Sequence, residues 1–401
     1  MKRIALSALA LVAAAGAASP LAAQDSVFVA AKSGVNLLRL NDDAGFVVRG
    51  TAESGSIPAT GAGVRMMWYP GRYAFRAGRV QDFGGGAGTT YWDDVNVGFG
   101  STAFGSGTRA SGDHSFAANL ATTASGDESV ALGNNGTASG DRAFAFNGTA
   151  SAVGAVAIGS GAQATSDDAL AMGPSSIAGG LAAIVLGPSI ANGNFGVAIG
   201  LQNSASGQFS VAIGKNARTA NRQGSVVLGD GCAGFSSDSV YPTANNQVVM
   251  RGCGGVKVFT NQNLTSGVEL AAGGSGWSAV SDRNRKENFL RVDGEEVLSR
   301  LRSMPMTTWN YKAQDGSIRH LGPMAQDFHA AFGLGESELM INSVDIDGVN
   351  MAAAQALEAR TSAQAGRIEA LEASNADLRT QNAELRARLE RIEALLAAPQ
   401  R

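Results

Sequence analysis

One short motif recurs along the chain: an apolar residue, alanine, a second apolar residue and glycine. Successive copies stand mostly 14 residues apart, with single steps of 12, 13 and 15 residues. Asparagine takes the place of glycine in two further copies, at Asn119 and Asn147, and asparagine is the other residue that tolerates a left-handed backbone. The glycine-containing copies are Ala103–Gly105, Val130–Gly133, Val156–Gly159, Leu170–Gly173, Ile184–Gly187, Val197–Gly200, Val211–Gly214 and Val226–Gly229.

The alternation of large and small apolar residues in each copy predicts a β-strand with two large side chains on one face and alanine on the other. One copy cannot bury its large side chains alone. We therefore expect the copies to stack as rungs of a β-solenoid, about 4.8 Å apart, and so to bury that face. The 53 glycines do not recur at every third position, which excludes collagen. A disordered Gly/Ser/Ala linker is the alternative, but a linker does not keep Val, Ile and Leu in register.

These copies resemble the head repeats of YadA-like trimeric autotransporter adhesins, which carry a Val-Ala-Ile-Gly core with the same period. The resemblance covers about residues 99–231. It implies a left-handed parallel β-roll in which three chains lie side by side, with binding surfaces on the outside. The partner of such a fibre would be a host-surface or glycan receptor.

The first residues have the pattern of a secretory signal peptide. Lys2 and Arg3 precede an apolar run to about Ala18, and small residues then lead to a cleavage point near Ala23–Gln24. We expect residues 1–23 to be removed and the mature chain to be exported, either secreted or held at the cell surface. No later stretch approaches roughly 18 apolar residues, so we expect no integral membrane segment in the mature chain. The net charge of −3 argues against a nucleic-acid partner.

Two less regular segments flank the repeats. Residues 24–98 contain short apolar runs between Gly and Pro turns, and we interpret them as an N-terminal β cap, because a solenoid needs its end rungs covered. We interpret residues 232–276 as a β stem that ends in a flexible Gly-rich hinge. The two cysteines, Cys232 and Cys253, lie in this stem. In an oxidising compartment they could form a disulfide that stabilises the fold by roughly 3 kcal/mol, and the alternative is two buried thiols.

Residues 357–396 have the heptad pattern of a coiled coil. Asn at a with Leu at d, taken alone, favours a dimer, whereas the resemblance to YadA-like heads implies a trimer. We favour the trimer because a large attached body imposes its own symmetry. A single amphipathic helix packed on its own domain is the alternative. The a positions are Ile368, Asn375, Asn382, Leu389 and Leu396, and the d positions are Leu371, Leu378, Leu385 and Ile392.

A compact region with few glycines, residues 277–356, lies between the predicted hinge and the coiled coil. Near its start is the run Ser281-Asp282-Arg283-Asn284-Arg285-Lys286, in which a serine stands five residues before a lysine. The same spacing occurs at Ser210 and Lys215 inside the repeats, where we expect a structural role. Spacing alone therefore does not identify a nucleophile and its base.

Three separated elements of this region resemble the intramolecular chaperone domain of phage endosialidase tailspikes, the auto-processing chaperone peptidase family. They are the Ser281–Lys286 run, Trp309–Lys312 and His320–Asp327, in the same order as in the family and followed by a coiled coil. The resemblance implies a domain that trimerises, templates the folding of the fibre on its N-terminal side and then cuts itself off. The cut would fall between Val280 and Ser281.

The resemblance also implies how this cut is made. Ser281 would supply the nucleophilic hydroxyl and Lys286 would remove its proton, which requires a neutral amine. Lysine in water has a pKa near 10.4, and burial lowers it by about 3–5 units, with help from nearby cations such as Arg283. Donors to the developing oxyanion would be backbone N–H groups or a side chain such as His320 or Gln326, which match the family's positions.

The sequence thus predicts a mainly β protein: a trimeric left-handed parallel β-roll with a β stem, then a small α+β chaperone domain and a C-terminal coiled coil. Asp282 and Arg283 either support the Ser-Lys dyad or only stabilise the turn. The main hypothesis is an exported fibre or adhesin precursor with a single-turnover, self-cleaving chaperone. The alternative is a non-cleaving surface adhesin with a permanent trimerisation foot. A polysaccharide-degrading tailspike has little support, since no paired carboxylates stand out in the repeats. We expect no cofactor and no metal.

Overall fold

The computed structural model describes residues 26–32, 35–41, 46–81, 87–232 and 238–397. It divides into two compact units, Met1–Gly254 and Gly255–Arg401. The predicted signal peptide lies outside the described residues. Among the helices that are described, none is long and apolar enough to cross a membrane.

The first unit begins with short antiparallel elements. Strands β1 to β3 form a small sheet, and β4 and β5 form a hairpin that joins the large sheet of the repeats. Three 3-10 turns accompany them, at Pro70–Arg72, Ala87–Thr90 and Asp94–Asn96. The strands are β1 (Ser26–Lys32), β2 (Val35–Asn41), β3 (Phe46–Val48), β4 (Gly63–Tyr69) and β5 (Ala74–Val80).

The repeats form a parallel β-solenoid of about 9 turns, as predicted. Each of the first eight turns contributes one strand to a large sheet and a two-residue strand to a second sheet, and the last three strands belong to the large sheet alone. The strands of the large sheet are β6 (Thr102–Ser106), β8 (Phe116–Leu120), β10 (Val130–Asn134), β12 (Phe144–Phe146), β14 (Val156–Ile158), β16 (Leu170–Met172), β18 (Ile184–Leu186), β20 (Val197–Leu201), β22 (Val211–Lys215), β23 (Val226–Gly229) and β24 (Val248–Met250). Those of the second sheet are β7 (Arg109–Ala110), β9 (Thr123–Ala124), β11 (Thr137–Ala138), β13 (Thr149–Ala150), β15 (Gln163–Ala164), β17 (Ile177–Ala178), β19 (Ile190–Ala191) and β21 (Ser204–Ala205).

The register of the large sheet does not depend on the length of the repeat. Ala131 pairs with Ala145, and Ala145 pairs with Ala157, although the second step is two residues shorter. Differences in length are therefore absorbed in the turns. The two asparagines that replace the motif glycine, Asn119 and Asn147, have φ of 90° and 56°, which confirms the left-handed backbone expected there.

The prediction that stacking buries the larger apolar side chains is wrong. Alanines from both sheets, such as Ala117 and Ala124, are fully buried and fill the interior of the roll. The larger residues on either side of the alanine point outward, where Phe104 and Phe146 remain 39% and 41% exposed. The interior is a column of small side chains, with alanine on most rungs and valine on two.

Backbone hydrogen bonds and side chains in the turns tie one rung to the next. The Oδ1 atoms of Asp113 and Asp127 each accept a hydrogen bond at 2.9 Å from a backbone N–H one rung earlier, that of Phe99 and of Asp113. The turn glycines are needed because the rungs approach closely. A Cβ on Gly126 would lie 2.1 Å from the carbonyl oxygen of Gly140.

The N-terminal end of the roll is closed by a buried arginine. Strand β5 pairs with β6 so that Arg76 lies opposite Ala103, and its side chain is fully buried. Its guanidinium donates to the carbonyl oxygens of Ser101 and Ala110, at 2.7 and 2.9 Å. Burial lowers the pKa of Arg76 to about 10. Arg76 thus binds two carbonyl groups of the first rung at the end of the alanine column.

The other end of the roll extends beyond the predicted boundary at residue 231. Strand β24, which the sequence assigned to the stem, pairs in parallel with β23 and adds one more strand to the large sheet. Cys232 and Cys253 are joined there as a disulfide, with Cα atoms 6.3 Å apart. Asp230 accepts hydrogen bonds from the N–H of Cys253 and from Arg251, and the first of these is the main reason that the pKa of Asp230 is lowered.

The second unit combines a three-stranded antiparallel sheet with a small helical core. The Gly273–Gly276 segment is the loop that joins two paired strands of this sheet, so the expectation of a hinge there is corrected. The core contains Val297, Met304, Phe328, Val349 and Ala353. The elements are β25 (Val256–Phe259), β26 (Gly267–Leu270), β27 (Trp277–Ala279), α1 (Gly294–Ser303), β28 (Thr307–Trp309), β29 (His320–Gly322), α2 (Ala325–Phe332) and α3 (Ser343–Ala397).

The interior of small side chains predicts different outcomes for the same substitution at adjacent residues. Ala117→Leu places an isobutyl group in the filled interior and should destabilise the roll by about 1–3 kcal/mol or more. Ala118→Leu, on the outer face where other repeats carry Phe, Leu or Ile, should leave the midpoint of urea unfolding nearly unchanged. Equal midpoints for the two variants would show that the interior is not close-packed.

The role of Arg76 predicts that lysine cannot replace it. Arg76→Lys keeps the charge but loses the planar fork that binds two carbonyl groups, and each buried carbonyl left without a donor costs about 1–3 kcal/mol. We expect faster amide hydrogen exchange in the first rungs and a lower unfolding midpoint. Arg79→Lys, at an exposed position of the same strand, is the matched control. Unchanged exchange in the Arg76 variant would contradict the role assigned to this side chain.

Candidate active site

Strand β27 positions the predicted cleavage point at the edge of its sheet. The N–H of Val280 donates to the carbonyl oxygen of Gly267 at 3.1 Å, which continues the pairing of β27 with β26. Ser281 follows directly and is exposed. The Val280–Ser281 bond therefore lies where the chain leaves the sheet.

A short 3-10 helix, Arg283–Arg285, then turns the chain back toward Ser281. Asp282 caps this helix, because its Oδ1 accepts a hydrogen bond from the N–H of Asn284 at 2.9 Å. Its Oδ2 lies 3.8 Å from Nε of Arg285. After this turn, Nζ of Lys286 donates a hydrogen bond to Oγ of Ser281 at 2.7 Å. The turn thus brings the serine and the lysine of the predicted dyad into direct contact.

The contact has the geometry that proton transfer requires, since a general base must lie within hydrogen-bond reach of the proton it removes. Both side chains are exposed in the single chain. The proposed role of Lys286 as a base requires its burial, and the residues of the single chain do not bury it. Arg283, the cation expected to assist, lies 5.4 Å above the ring of Phe289.

The two predicted oxyanion donors, His320 and Gln326, have other surroundings in the single chain. His320 lies on β29, where its Nε2 is 2.9 Å from Oε1 of Gln314 and its ring packs against Trp309. Gln326 is exposed on the first turn of α2. Within the described ranges, neither side chain makes a hydrogen bond to Ser281 or Lys286.

The second Ser-Lys spacing of the chain has a different environment. Ser210 is fully buried in the roll, and its hydroxyl lies 2.6 Å from the carbonyl oxygen of Gly207 and 3.0 Å from Oγ1 of Thr219. This hydroxyl is enclosed by the turn that it stabilises. The structural role expected for Ser210 agrees with these contacts.

One part of the site could not be found from the sequence. A cleft with Val280 in its wall is also lined by the start of α3, including Asn342 and Asp345. These residues follow Val280 by more than 60 positions, and no motif links them to it. The only local signal is an acidic residue in the first turn of a helix, which is common because it complements the helix dipole.

Helices α1 and α3 of the second unit are joined by an ion pair. Asp293 caps α1 by accepting a hydrogen bond from the N–H of Glu295 at 2.9 Å. The Glu295 carboxylate accepts hydrogen bonds from Arg360 of α3, with Nε at 2.9 and 3.0 Å from its two oxygens. These bonds are the main reason that the pKa of Glu295 is lowered, and they raise the pKa of Arg360.

Comparison with known families agrees with this organisation. Residues 97–118, 124–146, 150–176 and 191–217 match the YadA head domain repeat, and residues 281–333 match the family described as chaperone of endosialidase. The second match begins at Ser281. No curated protein matches the chain. The two matches, in this order, support an adhesin or tail fibre that carries a chaperone domain, and the head repeats point to a surface or secreted protein.

The Glu295–Arg360 pair predicts a pH-dependent contribution to stability. Because the pKa of Glu295 is lower in the folded state, its contribution is present above the unfolded value of about 4.3 and is lost as the pH falls through the folded-state pKa. Arg360→Gln should lower the thermal unfolding midpoint at pH 7, and its difference from the unsubstituted chain should become smaller as the pH falls below about 4.3. Arg391→Gln, exposed on the same helix, is the control. A difference of the same size at pH 7 and at pH 3 would assign the effect to packing rather than charge.

Proposed function

We propose that the chain is the precursor of an exported homotrimeric fibre or adhesin. In this proposal the C-terminal domain trimerises, guides the folding of the β-roll and then releases itself by cutting the Val280–Ser281 bond. The observation that carries the proposal is the 2.7 Å contact between Lys286 and Ser281, at the first residue of the segment that matches the chaperone family.

The distribution of apolar side chains supports a trimer. The outer face of the large sheet carries a column of partly exposed large residues on successive rungs. In the second unit, Leu290 is 90% exposed and Leu339 is 77% exposed. The coiled-coil seam of α3 is also exposed in the single chain, with Leu371 at 56% and Leu385 at 60%. Two further copies of the chain would cover all three surfaces.

The cleavage step follows from the positions of Ser281 and Lys286. Lys286, in its neutral form, accepts the hydroxyl proton as Oγ of Ser281 bonds to the carbonyl carbon of Val280. The C–N bond between the two residues then breaks, and the nitrogen takes the proton from Lys286. The product is an ester between Val280 and Oγ of Ser281 with a free α-amino group, and water hydrolyses this ester to release both fragments.

Neighbouring subunits have two tasks in this proposal. They exclude water from Lys286, which favours the neutral amine, and they complete the set of donors around the developing oxyanion. His320 or Gln326 of an adjacent chain, together with backbone N–H groups, would supply those donors. Asp282 would support the dyad by holding the 3-10 turn that presents Lys286.

A detachable chaperone suits a fold of this kind. Pairing in a parallel solenoid requires each turn to be closed before its contacts form, and three such chains must also be aligned with each other. A domain that trimerises first lowers the entropic cost of that alignment. Cleavage then removes the chaperone and makes the assembly hard to reverse.

The fibre would bind a host-surface protein or glycan through the outside of its head.

The alternative function is a non-cleaving surface adhesin whose C-terminal domain remains as a trimerisation foot. The exposure of both dyad side chains favours this alternative, since a lysine is activated as a base by desolvation and the single chain leaves Lys286 exposed. The same experiment separates the two functions.

We expect the purified full-length chain to yield two fragments, the second beginning at Ser281, in intact-mass analysis and N-terminal sequencing. Ser281→Ala should abolish cleavage because the nucleophile is lost. Lys286→Arg should abolish it because the guanidinium does not release its proton near neutral pH. We expect at least a 100-fold loss of rate in each variant.

Matched controls distinguish chemistry from folding. Ser278→Ala changes an exposed serine three residues before Ser281, and Lys312→Arg changes an exposed lysine of the same unit. Both should cleave as the unsubstituted chain does. If the unsubstituted trimer stays uncleaved, only the non-cleaving adhesin with a permanent trimerisation foot remains. Fragments from Ser281→Ala would rule out the Ser-Lys dyad.

A further inference from the structure

One turn of the roll is shorter than the turns above and below it. Only Asn147 and Gly148 lie between β12 and β13. At the same place, the rungs before and after have four residues each, 133–136 and 159–162. The strands on both sides of the short turn keep their register with the neighbouring rungs. The two residues that are missing therefore leave a gap in the surface of the roll.

This gap is a notch of about 480 Å³, formed by the short turn and by the turns of the two neighbouring rungs. All of the described side chains that line it are neutral, and the polar ones are amides and hydroxyls. They belong to Asn134, Asn135, Asn147, Thr149 and Ser160, and the other lining residues are glycines.

Asn147 is held in place by the backbone of the preceding rung. Its Oδ1 accepts a hydrogen bond from the N–H of Asn134 at 2.6 Å, which leaves Nδ2 as a donor. Among the described residues, Nδ2 has no acceptor in the chain, and the side chains of Asn135, Thr149 and Ser160 also make no hydrogen bond within it. The notch thus presents donors and acceptors that the fold itself does not use.

The chemistry of this lining indicates the class of ligand. Amides and hydroxyls both donate and accept hydrogen bonds, as do the hydroxyl groups of a sugar. An anionic group in the notch would have no cationic side chain to pair with, and an unpaired charge is costly to remove from water. The position also suits a ligand on the outside of the fibre. The notch lies in the turn between the two sheets, so trimer contacts on the outer face of the large sheet leave it open.

We propose that this notch binds a neutral glycan, an inference that rests on the binding role of the head in the proposed function. Nδ2 of Asn147 donates to a sugar oxygen, and the hydroxyls of Thr149 and Ser160 exchange hydrogen bonds with the sugar hydroxyls. A trimer presents three such notches. Contacts that are individually weak therefore combine into strong attachment to a surface that carries many copies of the glycan.

The test measures binding of the full-length protein to immobilised neutral oligosaccharides, with sialylated and sulfated oligosaccharides on the same array. We expect binding to members of the neutral set, little changed between about 0.1 M and 1 M salt because no ionised group takes part. Replacing Asn147-Gly148 by Gly-Asn-Asn-Gly, the sequence of residues 133–136, restores the four-residue turn and fills the notch. This refilled variant should form the roll and lose the binding.

A point substitution separates the donor from the shape of the notch. Asn147→Asp retains an acceptor for the N–H of Asn134 but loses Nδ2, and we expect binding to weaken by about 10-fold or more. Asn119→Asp is the matched control, because Asn119 is the other asparagine at the glycine place of the motif and lies outside the notch. It should bind as the unsubstituted chain does.

Other outcomes overturn the proposal. Unchanged binding in both the refilled variant and Asn147→Asp would place the glycan elsewhere on the head. Binding to the charged oligosaccharides alone, or to none on the array, would exclude a neutral glycan as the ligand. If the refilled variant does not form the trimer in size-exclusion chromatography, Asn147→Asp decides. The proposed function fails by a separate result, an unsubstituted preparation that contains neither trimers nor fragments.

Discussion

The alanine column inside the roll is the constraint on which the rest of the molecule depends. Residues such as Ala131 and Ala138 from facing sheets are fully buried, and the inward position of the large sheet holds a small side chain, alanine on most rungs and valine on two. Each turn must therefore place its larger apolar side chains outside. A methyl group contributes little burial energy, roughly 0.8 kcal/mol, so the roll gains stability chiefly through its ladder of backbone hydrogen bonds and through whatever covers the outer face. An isolated roll is thereby left with an incomplete core.

The same constraint explains why each end of the roll must be closed by specific side chains. A column of small side chains cannot close its own ends, and a rung at either end has carbonyl groups that no further rung can pair. Arg76 meets both needs, since its stem fills the column and its guanidinium binds two carbonyls. At the opposite end, β24 adds a rung and the Cys232–Cys253 disulfide holds the chain against it. Both ends are thus fixed by specific side chains, while the middle depends on repetition.

The sequence predicted the solenoid because the motif keeps its alternation through changes in repeat length. It did not predict which face lies inside, because an alternation of period two is symmetric between the faces and the larger residues were assumed to be buried.

At the site, Asp282 and the five-residue spacing suffice to build the turn that joins Ser281 to Lys286, so this contact could be predicted locally. The place of Asp345 in the same cleft as Val280 could not, since it depends on how α3 packs in the second unit.

The exposure of the dyad gives the proposed cleavage a dependence on assembly. In one chain both side chains are exposed and Nζ of Lys286 donates to Oγ of Ser281, which is opposite to the direction in which the serine proton must move. Only the loss of water around Lys286 reverses the direction of this hydrogen bond. In the proposed trimer, the neighbours that cover the apolar surface of one chain also exclude water from its dyad. Cleavage would then begin once the chains are in place, which is the order of events that a folding template requires.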